Sequence, residues 1–315
     1  MRQRAVILEQ TRAFFRARGF LEVDTPLALA CPNIDPNIYP VTIADAAGRS
    51  RPFYLHTSPE LSMKKLLAAG SGDIFYLGKV FRDREGSPLH CPEFTMLEWY
   101  RVGGSANDVM RDVEALAREL AQSVSGKPEI VRDGAAIPLS GSWGRWELAD
   151  AFAEALDCAA TDEAGIRRAL EKKGHRPGVS EDWEALFFRA YVDVIEPALR
   201  SKGACFLTGF PAPLAAMAKR RMDDPSISER FEGYVSGIEL VNGYEELTDP
   251  AEQEQRLLEL AERHRGNTGE ILPVDPEFLD ALRAGLPPCS GAALGFDRLA
   301  MLLLERDDIA DVSYR

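Results

Sequence analysis

The segment Val80–Arg101 constrains the fold of this chain most strongly, because an arginine and a polar loop precede a strictly alternating run. Successive side chains of a β-strand point to opposite faces of the sheet, so Phe94, Met96, Glu98 and Tyr100 share one face. A carboxylate is rarely buried without a partner, and this face therefore predicts a strand that lines a pocket. On alternation alone, an amphipathic hairpin with a solvated Glu98 stays open as the alternative.

Composition limits the classes of protein that remain. The chain has 315 residues, of which 45% are hydrophobic, and this is enough for a large core. No apolar run reaches membrane length, the N-terminus lacks the features of a signal peptide, and five scattered cysteines indicate reduced thiols in a cytoplasm. The net charge of −13 and the lack of a basic block argue against tight tRNA binding. Without repeats or low-complexity linkers, residues 1–315 are expected to form one domain.

Two segments carry the signals of helix starts. Thr57 and Glu60 match a T-x-x-E capping box with Pro59 in the first turn, and Ser105 with Asp108 begins a second helix. Periodicity, with glycine and proline as stop signals, predicts a helix over 2–18 that ends at Gly19 and a short strand over 20–23. Residues 125–145 are predicted as a loop that includes a possible strand. Helices follow around 146–156 and 183–199, with His175 in a solvated loop between them, and a later strand ends at Pro211.

Residues 229–250 predict a β-hairpin with a turn at Ser236–Gly237. The chain reversal would bring Glu232 and Glu239 towards each other. Two carboxylates in proximity repel, and a neighbouring cation or a magnesium ion usually relieves that repulsion. The alternative is a pair of glutamates that face solvent. Asp249 then has the position of a cap for the next helix.

Five segments occur in an order that resembles the catalytic core of the class II aminoacyl-tRNA synthetases, in its lysyl form. They are the helix, strand and proline of motif 1 up to Ala30, T-S-P-E from Thr57, F-R-x-x-E with H-x-P-E-F-T-M-L-E-W-Y as motif 2, E-x-x-N-G-x-x-E from Glu239 to Glu246, and Cys289–Glu305 with G-x-D-R as motif 3. The resemblance implies an α+β fold, in which helices flank a mostly antiparallel sheet of six to seven strands. It also implies a homodimer.

Met1 stands too close to motif 1 to leave room for the OB-fold domain with which lysyl-tRNA synthetases read the anticodon. Ser58 and Ala293 replace an alanine and a glycine of those synthetases. With these changes the chain is similar to the paralogues that ligate (R)-β-lysine to a lysine of elongation factor P, in two steps that use ATP and Mg²⁺. A compact lysyl-tRNA ligase, a regulatory amino-acid-binding paralogue and an asparagine synthetase are the other candidates.

The resemblance assigns a role to each candidate site residue. At the ATP, Arg82 and Arg298 are the catalytic residues: Arg82 holds the α-phosphate, Phe94 and Arg298 sandwich the adenine, His90 lies near the triphosphate, and Glu232 and Glu239 hold magnesium. At the amino acid, Glu60 takes the amine near the carboxylate. The pocket is lined by Glu98, Tyr100, Asn242 and Glu246, with Tyr100 and Glu246 at the side-chain ammonium. The carboxylate end is shaped by Ser58 and Ala293.

Motif 2 departs from the family at three points. Arg84 occupies the place of a glutamate that meets the adenine amino group, and Glu85 follows one residue later. Either Glu85 or backbone groups are expected to replace that contact. Cys91 replaces an asparagine, and Pro88-Leu89 replaces an arginine-bearing loop tip, which favours a protein acceptor over the end of a tRNA.

Overall fold

The computed structural model describes residues 2–44, 53–215 and 217–313. The helices are α1 (Arg2–Ala17), α2 (Glu60–Ala68), α3 (Ala106–Ser125), α4 (Leu148–Leu156), α5 (Glu163–Lys172), α6 (Trp183–Ala190), α7 (Glu196–Leu199), α8 (Pro250–Thr268), α9 (Pro276–Gly285) and α10 (Phe296–Leu303). The strands are β1 (Leu21–Glu22), β2 (Ala28–Leu29), β3 (Thr42–Ile43), β4 (Phe53–Leu55), β5 (Ile74–Phe81), β6 (Glu93–Val102), β7 (Glu129–Arg132), β8 (Ala135–Pro138), β9 (Gly144–Glu147), β10 (Ala204–Thr208), β11 (Arg230–Val235), β12 (Ile238–Glu245) and β13 (Cys289–Gly295).

One eight-stranded sheet organises these elements, in the order β1-β5-β6-β13-β12-β11-β10-β9. Its six inner strands are antiparallel, whereas β1 and β9 pair in parallel with their neighbours. The predicted α+β fold with a mostly antiparallel sheet is confirmed. The sheet has eight strands rather than six to seven, because two short parallel strands extend its edges. None of the described helices is long and apolar enough to cross a membrane.

Strand β6 keeps the alternation that its sequence predicts. Leu97 and Trp99 are fully buried in the core that α1, α3 and α10 cover, whereas Met96 and Tyr100 face the side of α2 and α9. Glu98 lies on that second side and is only 2% exposed. The alternative of a solvated Glu98 is therefore wrong.

The two predicted helix starts have different outcomes. Ser105 and Asp108 form the expected reciprocal capping box at α3. At α2 the predicted box is wrong, because Pro59 occupies the cap position and no side chain caps the helix. The carboxylate of Glu60 contacts Lys64 and Tyr244 instead.

The region from 125 to 215 holds more regular structure than its sequence predicts. Three strands (β7, β8 and β9) replace the predicted loop. The helix expected around 183–199 is present, but a π-helical turn at Tyr191–Ile195 interrupts it. His175 lies in a loop, as predicted, with its side chain 30% exposed and its Nδ1 atom 3.4 Å from Asp193. Strand β10 already ends at Thr208, ahead of the proline that was expected to close it.

The hairpin of β11 and β12 turns at Ser236 and Gly237 as predicted. Both residues have positive φ angles, 53° and 74°, which a two-residue hairpin turn requires. A bulge after Gly233 shifts the register by one residue, so that Glu232 pairs with Asn242 instead of Val241, while Glu239 lies opposite Tyr234. Asp249 caps α8 by accepting from two backbone amides, as predicted.

Candidate active site

A cavity of about 360 Å³ opens where the inner strands meet motif 2 and the start of α10. The end of β5, the loop after it, and β6 supply one wall. Strands β11, β12 and β13 and the first turn of α10 supply the other. Nine of the predicted site residues line this cavity: Arg82, Glu85, His90, Phe94, Glu232, Glu239, Asn242, Ala293 and Arg298.

The cavity is lined by arginines as well as carboxylates, and Arg82 and Arg298 are the two arginines that the sequence predicts there. The guanidinium of Arg82 lies 5.2 Å from the centre of the Phe94 ring, and burial lowers the pKa of Arg82. Arg298, in the first turn of α10, donates to the carbonyl oxygen of Glu239 at 2.9 Å and lies 2.6 Å from Nε2 of His90. A buried guanidinium requires an anion or an aromatic face, so this wall suits a polyanionic ligand with a flat ring.

The motif 2 loop places Glu85, not Arg84, at the cavity. Arg84 has a φ angle of 61°, and its guanidinium lies 4.1 Å from the centre of the Tyr39 ring. Left-handed backbone at a non-glycine residue is uncommon, and here it redirects the chain by one residue. Glu85 consequently lines the cavity, whereas Arg84 does not. Of the two replacements left open for the adenine contact, this geometry favours Glu85.

Glu232 and Glu239 differ in how strongly they are already engaged. Glu232 accepts hydrogen bonds from Tyr191 at 2.5 Å, Tyr234 at 2.6 Å and Arg230 at 2.7 Å. Burial raises the pKa of Glu232, which the neighbouring arginine opposes. Among the described residues, the carboxylate of Glu239 has an ion pair with the guanidinium of Arg298, at 3.4 Å, and its side chain is 35% exposed.

Magnesium usually takes one or two carboxylates together with substrate phosphates and water. Glu239 fits that donor set, whereas Glu232 would have to release some of its hydrogen-bond donors first. The described ranges contain no group of three or more metal-ligating side chains. The predicted magnesium pair therefore stays a prediction.

A buried polar cluster lies next to the cavity, on the side of Ala293. Ala293 is opposite Glu98 on β6 and opposite Asn242 on β12, so it stands at the junction of the two regions. Glu98 accepts a hydrogen bond from Tyr100 at 2.7 Å. Burial, followed by the charge of Glu60, raises the pKa of Glu98 to about 8.

Lys64 lies at the centre of this cluster and was not predicted as a site residue. Its ammonium is 2.7 Å from Glu60 and 2.5 Å from Oε2 of Glu246, and the side chain is 2% exposed. Tyr244 donates a hydrogen bond to Glu60. Burial lowers the pKa of Lys64, but Glu246 and Glu60 outweigh burial and raise it overall. Burial raises the pKa of Glu246 to about 8, although Lys64 opposes that shift.

A signal for Lys64 was present in the sequence. Leu61, Lys64 and Leu67 have the spacing of one helical face, and both leucines are buried. A lysine on an apolar helix face calls for a buried acidic partner. Ser58, the remaining predicted residue, accepts from the backbone amide of Glu60 at 3.0 Å and so belongs to the cluster.

Some residues of the cavity wall belong to no predicted motif. Asp35 and Asn37 come from the segment after motif 1, and Arg230 precedes Glu232 on β11. Arg230 could have been found from the sequence, because residues two apart on a strand share a face. Asp35 and Asn37 lie in irregular backbone, whose path has no periodic signal.

An eight-stranded, mostly antiparallel sheet whose inner strands carry an arginine-bearing cavity beside a carboxylate cluster defines the class II synthetase catalytic core. The family model for class II tRNA synthetases (D, K and N) matches residues 1–314, and the chain belongs to this family. Among curated proteins, the chain is 37% identical over 318 residues to the elongation factor P–(R)-β-lysine ligase of Sodalis glossinidius, with 98% of this chain and 92% of the relative covered. The ligases of the same name from Salmonella typhi and Salmonella arizonae are also 37% identical, over 321 residues, with the same coverage.

Proposed function

We propose that this chain is an ATP-dependent ligase that activates (R)-β-lysine or lysine as its adenylate and transfers it to a lysine side chain of elongation factor P. The observation that carries this proposal is an arginine-bearing cavity that lies beside a buried carboxylate cluster, with Ala293 of β13 at their junction. Such a pair of regions suits a nucleotide beside a substrate with two ammonium groups. The similarity to ligases of that printed name supports the choice of acceptor.

In the first step, an oxygen of the substrate carboxylate attacks the α-phosphorus of ATP, and the bond to pyrophosphate breaks. No protein nucleophile is needed, so the residues contribute position and charge. Arg82 holds the α-phosphate, and Arg298 with Phe94 encloses the adenine. Glu85 takes the adenine amino group, and His90 lies near the triphosphate. Magnesium, held by Glu239 and Glu232, would neutralise phosphate charge when bound.

The carboxylate cluster selects and orients the amino acid. Glu60 takes the amine nearer the carboxylate, and Glu246 with Tyr100 takes the distal ammonium. An ammonium has three donors, so a carboxylate and a phenol oxygen together satisfy most of them. Glu98 and Asn242 line the pocket between these ends. Ser58 and Ala293 shape the wall at the carboxylate end, where a β-amino acid differs from an α-amino acid.

In the second step, the neutral amine of the acceptor lysine attacks the adenylate carbonyl. The C–N bond forms, AMP departs and the amine loses a proton. The chain's net charge of −13 disfavours attraction to RNA phosphates and favours a partner that presents a basic segment. Tight tRNA binding is therefore not part of this proposal. A homodimer, a cytoplasmic location and one catalytic domain over residues 1–315 complete it.

The acceptor is tested by offering purified elongation factor P and bulk tRNA side by side, with ATP and labelled (R)-β-lysine or lysine. We expect label on the protein, at one lysine, and none on tRNA. A matched elongation factor P with that lysine changed to arginine is the control. Label on tRNA but not on the factor would return the chain to the tRNA ligases.

A further inference from the structure

The buried cluster holds three carboxylates and one ammonium within the described ranges. Glu60, Glu98 and Glu246 supply the carboxylates, and Lys64 is the cation between two of them. Lys64 is 2% exposed, so its charge is not screened by water. If every group were ionised, the cluster would lack two positive charges. A free diamino acid carries two ammonium groups.

The contacts of Lys64 leave carboxylate oxygens of the pocket available to the ammonium groups of such a substrate. Lys64 approaches Oε2 of Glu246, while Oε1 of Glu246 has no hydrogen-bond partner in the part of the chain that the structure describes. Oε2 of Glu98 is likewise buried without one. Buried carboxylate oxygens are normally satisfied, so two such atoms in one buried cluster point to donors that arrive with a ligand.

We propose that Lys64 is a positioning residue that offsets one of the three carboxylates, so that the pocket is complete only with a substrate bearing two ammonium groups. This inference rests on the proposed function and deepens it, because it names what sets the substrate class. Lys64 also fixes Glu60 and Glu246 relative to each other, since one ammonium bridges both.

The raised pKa values of Glu98 and Glu246, both about 8, agree with this charge count. Before substrate binds, protons stand in for the two missing cations. Ammonium groups favour the ionised carboxylates, so affinity for a diamino acid should rise as pH rises towards 8 and then level off. The titratable groups that face Lys64 or its partners are Glu60 on α2, Tyr76 on β5, Glu98 and Tyr100 on β6, Tyr244 on β12, Glu246 after it, and Cys289 on β13.

The variant Lys64→Met tests the inference, because it keeps the length of the side chain and removes its charge. Without the lysine, the pKa of Glu246 should rise further. The pH dependence of affinity for (R)-β-lysine and lysine should shift to higher pH by at least one pH unit. Binding at pH 7 should therefore be about ten-fold weaker. Binding of ATP should change less than two-fold.

Lys65→Met is the matched control. Lys65 is the next residue of the same helix and pairs with Asp275 at 2.6 Å, but it belongs to neither the cavity nor the cluster. Its profile should equal that of the wild type. Lys64→Gln provides a second variant if the methionine destabilises the fold, because glutamine retains hydrogen-bond donors.

Binding is measured by calorimetry with the free amino acids, without elongation factor P, so the two proposals can fail separately. If neither amino acid binds the wild type, the proposed function is wrong. If the wild type binds and both Lys64 variants keep its pH profile, only the role of Lys64 is wrong. Equal weakening of ATP and amino acid would assign Lys64 a purely structural role.

Discussion

The open cavity and the buried cluster are neighbours on one sheet, yet they differ in the charges they present and in their access to solvent. The cavity gathers Arg82, Arg298 and His90 around an accessible space that suits phosphates. The cluster surrounds Lys64 with carboxylates that solvent barely reaches. Water can solvate the charges in the cavity, whereas the charges in the cluster must be compensated by opposite charges of the protein or of a ligand.

This difference separates the two halves of the proposed reaction. The cavity stabilises charge that shifts during the chemical step, and its residues should mainly affect rate. The cluster recognises charge that the substrate carries throughout, and its residues should mainly affect affinity. Ala293 belongs to β13 and contacts both regions through its strand neighbours, so it should affect the choice of substrate.

The largest effect is expected from the cavity. Arg82→Ala or Arg298→Ala should slow ATP–pyrophosphate exchange, because each removes a charged contact to ATP in the transition state. The activation free energy should rise by about 2–4 kcal/mol. Arg283→Ala, on the exposed face of α9, is the control with the same chemical change. Activity of Arg82→Ala within about three-fold of the wild type would remove the catalytic role.

Glu246→Gln should show the opposite kinetic pattern. The change keeps the shape and removes a charge-assisted hydrogen bond, which is worth about 1.5–3 kcal/mol. The KM for the amino acid should rise accordingly, with little change in the KM for ATP. Glu245→Gln, one residue earlier and paired with Lys219, should leave both constants near the wild-type values. An equal rise of both constants in Glu246→Gln would make that residue structural.

Ala293→Gly probes the junction between the regions. Removing one methyl group should shift the preference from (R)-β-lysine towards lysine by about 1–3 kcal/mol in kcat/KM. Ala292→Gly is a matched control, because Ala292 points to the opposite face of β13 and packs in the core. Identical preferences in the wild type and Ala293→Gly would transfer this choice to another residue.

The smallest effect is expected at the adenine. Glu85→Gln should raise the KM for ATP, because a neutral amide accepts a hydrogen bond more weakly than a carboxylate does. The binding free energy of ATP should weaken by about 1 kcal/mol. Glu93→Gln changes an exposed glutamate of β6 and is the control. If Glu85→Gln binds ATP as the wild type does while Arg84→Ala does not, the adenine contact belongs to Arg84 and not to Glu85.

The sequence predicted the cavity better than the cluster. Arg82, Phe94 and Arg298 follow from motifs that also fix their places on strands and helix ends. Lys64 has a signal in its helical spacing, but its second partner, Glu246, follows β12 and is far from α2 in the chain. Charge pairing across such distances is set by packing, and local periodicity carries little information about it.

Local irregularities also limited the prediction. The left-handed backbone at Arg84 and the bulge after Gly233 each shift side chains by one residue. Position 84 is not a glycine, so the sequence has no signal for its left-handed conformation. The short edge strands β1 and β9 add to the sheet through backbone pairing alone. The capping box predicted at Glu60 is wrong because the carboxylate of Glu60 contacts Lys64 and Tyr244 in the cluster, although its local sequence suits a cap.

ATP–pyrophosphate exchange with a panel of amino acids tests the central claim most directly. The panel contains (R)-β-lysine, (S)-β-lysine, lysine, norleucine and aspartate, so that the number of ammonium groups varies while size changes little between lysine and norleucine. We predict exchange with (R)-β-lysine or lysine and background rates with norleucine and aspartate. Exchange with norleucine at a rate comparable to that with lysine would contradict the claim that the carboxylate cluster selects a diamino substrate.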